Sequence, residues 1–300
     1  MATLKFLKTR IQSIKSTQKI TSAMKMVASS HFRKAETRLI SSASYAASLD
    51  QILQAVLENC DLQGKDISYL TRKKSANPNH LLIIMSGNRG LCGGYNATVS
   101  RKANQILEDL IQQKKNVTVI AFGSKSLSGL NPVYRSLVTH HFDDKQYDNA
   151  ENVRMVLDRI ILELHEKKFQ TCSIVYTSFQ TIMTAKVTHH PLVPYESSIL
   201  SHSKKHKTVH HNAKGPLLFE VEPIDEKFLD LFWAHHLKSQ IYFALCDALS
   251  SEHSARMISM DGATKNAKEM LNKLELLYNK TRQATITKEL IEIVAGSESV

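Results

Sequence analysis

The chain has 300 residues, 42% of them apolar, which is enough to bury the core of one large domain or of two smaller ones. Its 39 basic and 28 acidic side chains give a net charge of +11, so we expect acidic partners such as nucleic acid, anionic lipid or acidic protein loops. No apolar run approaches the roughly 18 residues of a membrane span, and the four cysteines form no CxxC pair, which argues against a zinc site or a disulfide framework.

Residues 3–58 are predicted to form one helix, because they contain neither glycine nor proline. The first 40 residues hold nine Lys or Arg and one acid, a local charge of +8. This basic composition also suits a transit peptide, but a coiled-coil pattern runs through it, so we interpret it as mature structure. Residues spaced alternately three and four apart form this pattern. Its positions are Leu4, Leu7, Ile11, Ile14, Gln18, Thr21, Lys25 and Ala28.

A polar linker is predicted over 59–79, followed by an α/β domain over 80–223. Short apolar runs bounded by helix-compatible sequence predict buried strands, and strands alternating with helices predict a parallel sheet. The predicted strands are 81–85, 117–123 and 173–179, with a candidate fourth at 217–223. One predicted helix ends near residue 115, and another spans 147–168.

Residues 202–215 (HSKKHKTVHHNAKG) have the composition of a surface insertion in this domain. His202, His206 and His210 are spaced four apart, so on a helix they could align for a metal ion. The lysines among them and the near absence of apolar residues favour a surface loop, and we predict no metal site.

Helix is predicted again over 224–300, and residues 251–296 contain no proline. A second coiled-coil pattern is predicted there, and a long helix with such a pattern requires a partner. Residues 226–300 hold nine basic and ten acidic residues, which suits pairing with the basic N-terminal helix. A compact bundle of two ordinary amphipathic helices is the alternative. The predicted inward positions are Met260, Ala263, Ala267, Met270, Leu274, Leu277, Ala284 and Ile291.

A glycine-rich turn, Gly87–Gly94, follows a predicted strand and precedes a helix, where phosphate-binding loops lie. It contains neither GxGxxG nor GK[ST], and four glycines are equally typical of tight backbone packing. Cys92 near Arg89 could be an activated thiol, but no His or Asn constellation supports nucleophilic catalysis. We therefore predict no catalytic residue, no cofactor and an interaction protein.

Two other classes of function stay open on these residues. A nucleotide-binding α/β enzyme would be tested by binding of labelled ATP to the isolated chain. A nucleic-acid-binding coiled coil could use the basic N-terminus, and its affinity for DNA would fall steeply with salt.

Three sequence blocks, in this order and spacing, resemble the gamma chains of the rotary ATP synthases. The blocks are RIQSIKSTQKITSAMKMVASS at 10–30, SGNRGLCGGYN at 86–96 and LLYNKTRQATITKELIEIVAG at 276–296. Asn88 stands where the family usually has Asp, and Ser297 where it usually has Ala. Gly262 lies where a better helix former is expected.

The resemblance implies a long antiparallel coiled coil of the N- and C-terminal helices with an inserted Rossmann-like α/β domain. It implies a non-catalytic rotor shaft that couples proton-driven rotation to sequential conformational change at catalytic sites. The implied partners are the alpha and beta chains of the catalytic head, the epsilon chain and the c-ring, without nucleic acid. The implied location is peripheral, on the cytoplasmic face of a bacterial inner membrane or on the matrix side in mitochondria.

The resemblance also implies two sets of functional side chains. Contacts with the catalytic ring would come from Met24, Arg256, Arg282, Gln283 and Thr287. An apolar bearing tip would consist of Ile286, Leu290, Ile291, Ile293 and Val294. Arg282 and Gln283 would bond acidic loops, since a guanidinium binds a carboxylate through two parallel bonds.

Overall fold

The computed structural model describes residues 4–59, 79–147, 149–166, 169–195 and 226–298. Linker residues 60–78, the insertion at 202–215 and the candidate strand at 217–223 lie outside the described residues. The helices are α1 (Leu4–Asn59), α2 (Tyr95–Gln112), α3 (Ser124–Gly129), α4 (Ala150–Glu166) and α5 (Glu226–Glu298). The strands are β1 (Asn79–Met85), β2 (Asn116–Phe122), β3 (Val138–Phe142), β4 (Thr171–Phe179) and β5 (Ala185–Val193), and short 3-10 helices span Pro132–Leu137 and Asp144–Gln146.

The chain divides into two compact units, and α1 and α5 contribute to both. The two-helix unit comprises Met1–Ser29 and Arg256–Val300, and the α/β unit comprises Ser30–Ala255. The predicted domain division at 1–58, 59–79, 80–223 and 224–300 follows the secondary structure instead, and it stays a prediction.

In the two-helix unit the helices are antiparallel. Lys25 Nζ donates to Asp261 Oδ1 at 2.6 Å, and four residues earlier on α1 the Thr21 hydroxyl lies 2.9 Å from that of Thr264. Residue numbers therefore rise along one helix as they fall along the other. Hydrogen bonds from Lys25 and Lys265 lower the pKa of Asp261 to about 2, so this half-buried carboxylate stays charged at neutral pH.

The inward positions of α1 agree with the prediction, because each one from Leu4 to Ala28 is buried or half-buried. On α5 the prediction holds at Met260, Ala263, Ala267 and Leu274. It is wrong at Met270, Leu277, Ala284 and Ile291, which are exposed.

Beyond Ala267 the steps of four and three on α5 follow the opposite order to the predicted one, so Leu274 is shared while Met270 and Leu277 are each replaced by the next residue. The inward positions there are Leu271, Leu274, Tyr278, Thr281 and Thr285, which continue the alternation of three and four. Cross-helix contacts such as that of Thr264 with Thr21 fix this phase, and it places threonine and tyrosine inward where apolar residues were expected.

The α/β unit contains one sheet with strand order β3-β2-β1-β4-β5. The first four strands are parallel as predicted, but β5 pairs with β4 in the antiparallel sense, so the sheet is mixed. The predicted strands at 81–85, 117–123 and 173–179 correspond to β1, β2 and β4. The strands β3 and β5 were not predicted.

The sheet is covered on both faces, which explains the continuous apolar run in β1. Leu81, Ile83 and Met85 pack in a cluster with residues of α1, α4 and α5. Leu82 and Ile84, on the opposite face, pack against α2. The predicted fold, a coiled coil of terminal helices with an inserted Rossmann-like domain, is confirmed.

Candidate functional site

The glycine-rich turn between β1 and α2 is tied to its own helix. The Gly87 N–H donates to Asn96 Oδ1 at 2.9 Å, and the Asn96 amide group donates to Arg89 O at 3.1 Å. Leu91 and Gly93 adopt left-handed backbone conformations, with φ of 63° and 59°. Glycine adopts this conformation without steric cost, which explains one glycine of the turn.

Asn88 ties the same turn to two neighbouring segments. Its Nδ2 donates to Tyr147 Oη at 2.6 Å, and its Oδ1 accepts from the N–H and hydroxyl of Ser124 at 2.9 and 3.2 Å. The amide therefore donates on one side and accepts on the other. An ionised aspartate could accept from Ser124 but could not donate to Tyr147. At this departure from the family pattern, the structure gives the asparagine a defined bonding role.

The crevice at the carboxyl ends of β1 and β4 contains helix α5. Strand order reverses between these two strands, and in doubly wound sheets ligands bind at such a switch point. Here the Phe179 N–H donates to Asp247 Oδ1 at 2.7 Å, and the Tyr95 hydroxyl donates to Ala248 O at 3.0 Å. A Cβ atom built on Gly87 would lie 2.8 Å from Glu252 Cδ, so the turn packs directly against α5.

Neither the thiol nor the metal hypothesis gains support. Cys92 is buried, and its Sγ lies 3.1 Å from Asn96 Nδ2. Among the described residues, no group of three or more His, Cys, Asp and Glu side chains could hold a metal ion. His202, His206 and His210 lie outside that part of the chain.

The five predicted ring contacts do not form one cluster. Arg282 and Gln283 are exposed on one turn of α5 and Thr287 on the next, where the Thr287 hydroxyl donates to Gln283 O at 2.9 Å. Met24 and Arg256 are half-buried and lie at the opposite end of the two-helix unit, near the pairing of Lys25 with Asp261. Because the inward positions are Thr281 and Thr285, both Arg282 and Gln283 face outward.

The predicted bearing tip is exposed over its whole length. Its five apolar side chains are between 48% and 68% exposed. They are Ile286, Leu290, Ile291, Ile293 and Val294. A group of exposed large apolar side chains on one helix end is typical of a surface that binds another protein.

The contacts of α5 in the crevice were missed at the sequence level. Asp247 is the one acid in the apolar run Phe243–Leu249, and such an isolated carboxylate could have indicated a buried bonding role. Glu252 and Tyr95 carry no comparable signal. None of the described helices combines the length and the apolar character that crossing a membrane requires.

The sequence matches the family model described as ATP synthase over residues 3–300. It is 34% identical over 311 residues to the ATP synthase gamma chain of Bartonella tribocorum and 33% identical over 310 residues to that of Rhodospirillum rubrum, with 100% of both chains covered in each case. Its fold is similar to that of a chain of the Euglena gracilis mitochondrial ATP synthase (TM-score 0.65, 16% identity, 99% of this chain and 94% of that chain covered). It is also similar to a chain of the central stalk and c-ring structure of the Tetrahymena thermophila enzyme (TM-score 0.60, 23% identity, 81% and 99% covered). On the full-length match to the family model and to these relatives, the chain belongs to the ATP synthase gamma chain family.

Proposed function

We propose that this chain is the central rotor shaft of the ATP synthase catalytic head. It couples proton-driven rotation to sequential conformational change at the catalytic sites for ATP synthesis, and the reverse on hydrolysis. The observation that carries the proposal is the exposed apolar tip of α5, because an end of this kind in a gamma chain requires a surrounding protein surface. The N- and C-terminal helices form the shaft, and residues 80–223 form the attached domain.

The partners follow from the family. The tip and upper shaft lie within the ring of alpha and beta chains, and the α/β domain contacts the epsilon chain and the c-ring. The similar structures are described as assemblies with F1 and the c-ring in Euglena and with the c-ring in Tetrahymena. The chain is then peripheral, on the cytoplasmic face of a bacterial inner membrane or on the matrix side in mitochondria.

The chain itself has no catalytic site in this proposal. Two observations support this: α5 occupies the crevice where a nucleotide would bind, and the glycine-rich turn packs against Glu252. The ATP chemistry belongs to the surrounding chains, and no cofactor is required of this one.

The mechanism is differential binding by an asymmetric rod. Each rotor angle presents a different face to each of the three catalytic sites. A face that contacts the open form of a site better than the closed form shifts the population of that site. The coupling is reciprocal in binding free energy, so nucleotide binding also biases the rotor angle.

Arg282 and Gln283 supply angle-dependent contacts in this mechanism. Both are exposed and adjacent in the sequence near the tip, and neither faces the partner helix. Bonds from Arg282 to acidic loops of the ring would contribute about 1.5–3 kcal/mol at the angles where they form. Thr287 lies one turn closer to the C-terminal end of α5. Met24 and Arg256 lie at the end of the two-helix unit that is opposite the tip. Methionine suits a sliding contact because its side chain is adaptable.

The test replaces both residues, Arg282→Ala and Gln283→Ala, in complexes with the alpha and beta chains. Helical content measured by circular dichroism should not change, since alanine is a good helix former. The complexes should assemble and hydrolyse ATP about tenfold more slowly, as loss of one such bond implies.

The matched control is Asn272→Ala with Lys273→Ala, an exposed amide and cation side by side lower on the same helix. These complexes should turn over at the wild-type rate. Wild-type turnover in the Arg282 and Gln283 variant would show that both side chains are merely solvated. Absence of alpha and beta chains from the purified complex would contradict the shaft function as a whole.

A further inference from the structure

Helix α5 makes a concentrated series of polar contacts over two turns, Asp247–Ser254, with β4, with the turns that follow β1 and β4, and with α2. Besides the bonds at Asp247 and Ala248, the Ser251 hydroxyl donates to Thr177 O at 3.0 Å and the Ser254 hydroxyl donates to Ile182 O at 2.6 Å. The Glu252 side chain packs against Gly87. These contacts reach the residues at or just beyond the ends of β1 and β4.

Of these residues, Asp247 costs the most free energy to bury. It is fully buried, and the groups facing it are Tyr176 and Ser178 of β4, Tyr95 of α2 and Cys246 of its own helix. A buried carboxyl group is costly unless it is bonded. It accepts the N–H of Phe179, the last residue of β4, so it holds a strand end directly on the helix.

Apolar packing and hydrogen bonds differ in what they can transmit. The remaining contacts between α5 and the sheet come mainly from apolar side chains such as Ile241, Phe243 and Leu245. Apolar burial is not directional, so its free energy depends less on the exact rotation of a helix than that of a hydrogen bond does. Hydrogen bonds depend on angle as well as on distance, so they fix both the rotation and the position of α5.

We propose that the segment Asp247–Ser254 is the joint through which torque passes between the sheet and helix α5 of the shaft, with Asp247 as its positioning residue. This inference rests on the proposed function. The helix is unbroken from Glu226 to Glu298, so a force that enters at the joint continues along the backbone. The crevice that binds a ligand in other doubly wound sheets thus contains helix α5 here, and in this proposal α5 transmits the torque.

The test compares Asp247→Ala with Asp247→Asn in complete complexes. Asparagine keeps the Oδ1 acceptor for the Phe179 N–H, whereas alanine removes it. Two rates are measured: ATP hydrolysis by the detached catalytic head, which needs only the shaft, and proton-driven ATP synthesis, which also needs the joint. Asp230→Ala, an exposed acid on the same helix, is the matched control.

For Asp247→Ala we expect synthesis to fall about tenfold, the change in population that loss of one buried bond produces, while head hydrolysis stays near wild type. Asp247→Asn and Asp230→Ala should retain both rates. Wild-type synthesis in Asp247→Ala would overturn the proposal, as would an equal loss of both rates in Asp247→Ala.

If Asp247→Ala does not assemble, the rates of hydrolysis and synthesis are measured for the double variant Ser251→Ala with Ser254→Ala. This variant removes two hydrogen bonds of the joint without leaving a backbone N–H unpaired. Failure of the proposed function is a separate result, because the wild-type chain would then not purify with alpha and beta chains.

Discussion

His80 is a buried titratable residue between β1 and β4. Its Nδ1 lies 2.7 Å from Thr171 Oγ1 and its Nε2 lies 2.8 Å from Ser173 Oγ. Burial, with smaller contributions from Lys115 and His189, lowers the pKa of His80 to about 3 from its ordinary value of 6.5. The imidazole is therefore neutral in the fold, and one ring nitrogen donates while the other accepts.

This lowered pKa predicts a loss of stability in mild acid. Below pH 6.5 the unfolded chain binds a proton at His80 that the folded chain does not bind. Stability is therefore complete above pH 6.5 and falls as pH decreases toward 3. Between pH 7 and pH 5 the contribution to the free energy of unfolding falls by about 2 kcal/mol. Urea denaturation of the wild-type chain and of His80→Gln at pH 7 and pH 5 measures this change in the free energy of unfolding.

Asp247, in the same unit, has the opposite effect on the pH dependence of stability. Burial raises the pKa of its carboxyl group from 3.8 to about 7, so its contribution to stability is present below pH 3.8 and is lost as pH rises toward 7. The difference between wild type and His80→Gln isolates the histidine. An identical pH dependence in the two proteins would show that His80 does not titrate as described.

At the scale of a helix, the phase of α5 in the two-helix unit is open to a direct test. Leu271 is 7% exposed and the adjacent Met270 is 47% exposed. We expect Leu271→Ala to lower the free energy of unfolding by about 2–3 kcal/mol and Met270→Ala by less than about 0.5 kcal/mol. Thermal and urea unfolding of both variants measure this. A larger loss of unfolding free energy in Met270→Ala than in Leu271→Ala would support the predicted inward pattern through Met270 and Leu277.

Gly262 lies in the interior of α5, where glycine is unfavourable. Apart from its own helical turn, no atom of the described residues lies within 4 Å of a Cβ built there, so Gly262→Ala should stabilise the chain by about 0.5–1 kcal/mol. Gly123→Ala is the contrasting control. Its φ is +84°, and its Cβ would lie 2.2 Å from Ser86 O, so that variant should unfold at a lower temperature. A lowered melting temperature for Gly262→Ala would mean that α5 requires glycine at this position.

Elements could be predicted from the sequence where burial leaves a periodic or continuous apolar signal. This condition holds for α1 and for the strands β1, β2 and β4. It fails for β3 (VTHHF) and β5 (AKVTHHPLV), because edge strands are only partly buried and carry polar side chains. It also fails for the upper part of α5, where threonines take inward positions that apolar residues were expected to fill.

At the scale of the molecule, the sequence blocks predicted the family and the order of its parts. The five apolar residues predicted to form a bearing tip are exposed together, and their contact with a ring stays a prediction. The filling of the crevice by α5 could not be predicted, because it joins Asp247 to Phe179 across 68 positions of the chain and depends on tertiary packing. This contact also supplies a physical reason why a glycine-rich turn in a Rossmann-like sheet need not bind a nucleotide.

The exposed tip also affects how the free subunit differs from the assembled one. Every side chain from Ile286 to Ala295 is exposed, so no second helix among the described residues covers this part of α5. A single helical segment of about 12 residues is only marginally stable in water. We therefore expect this apolar part of α5 to fray in the free subunit, and such a segment is the kind of substrate that proteases and chaperones recognise. Enclosure in a ring would remove that signal, so the same residues that serve as a bearing would also distinguish an unassembled rotor from an assembled one.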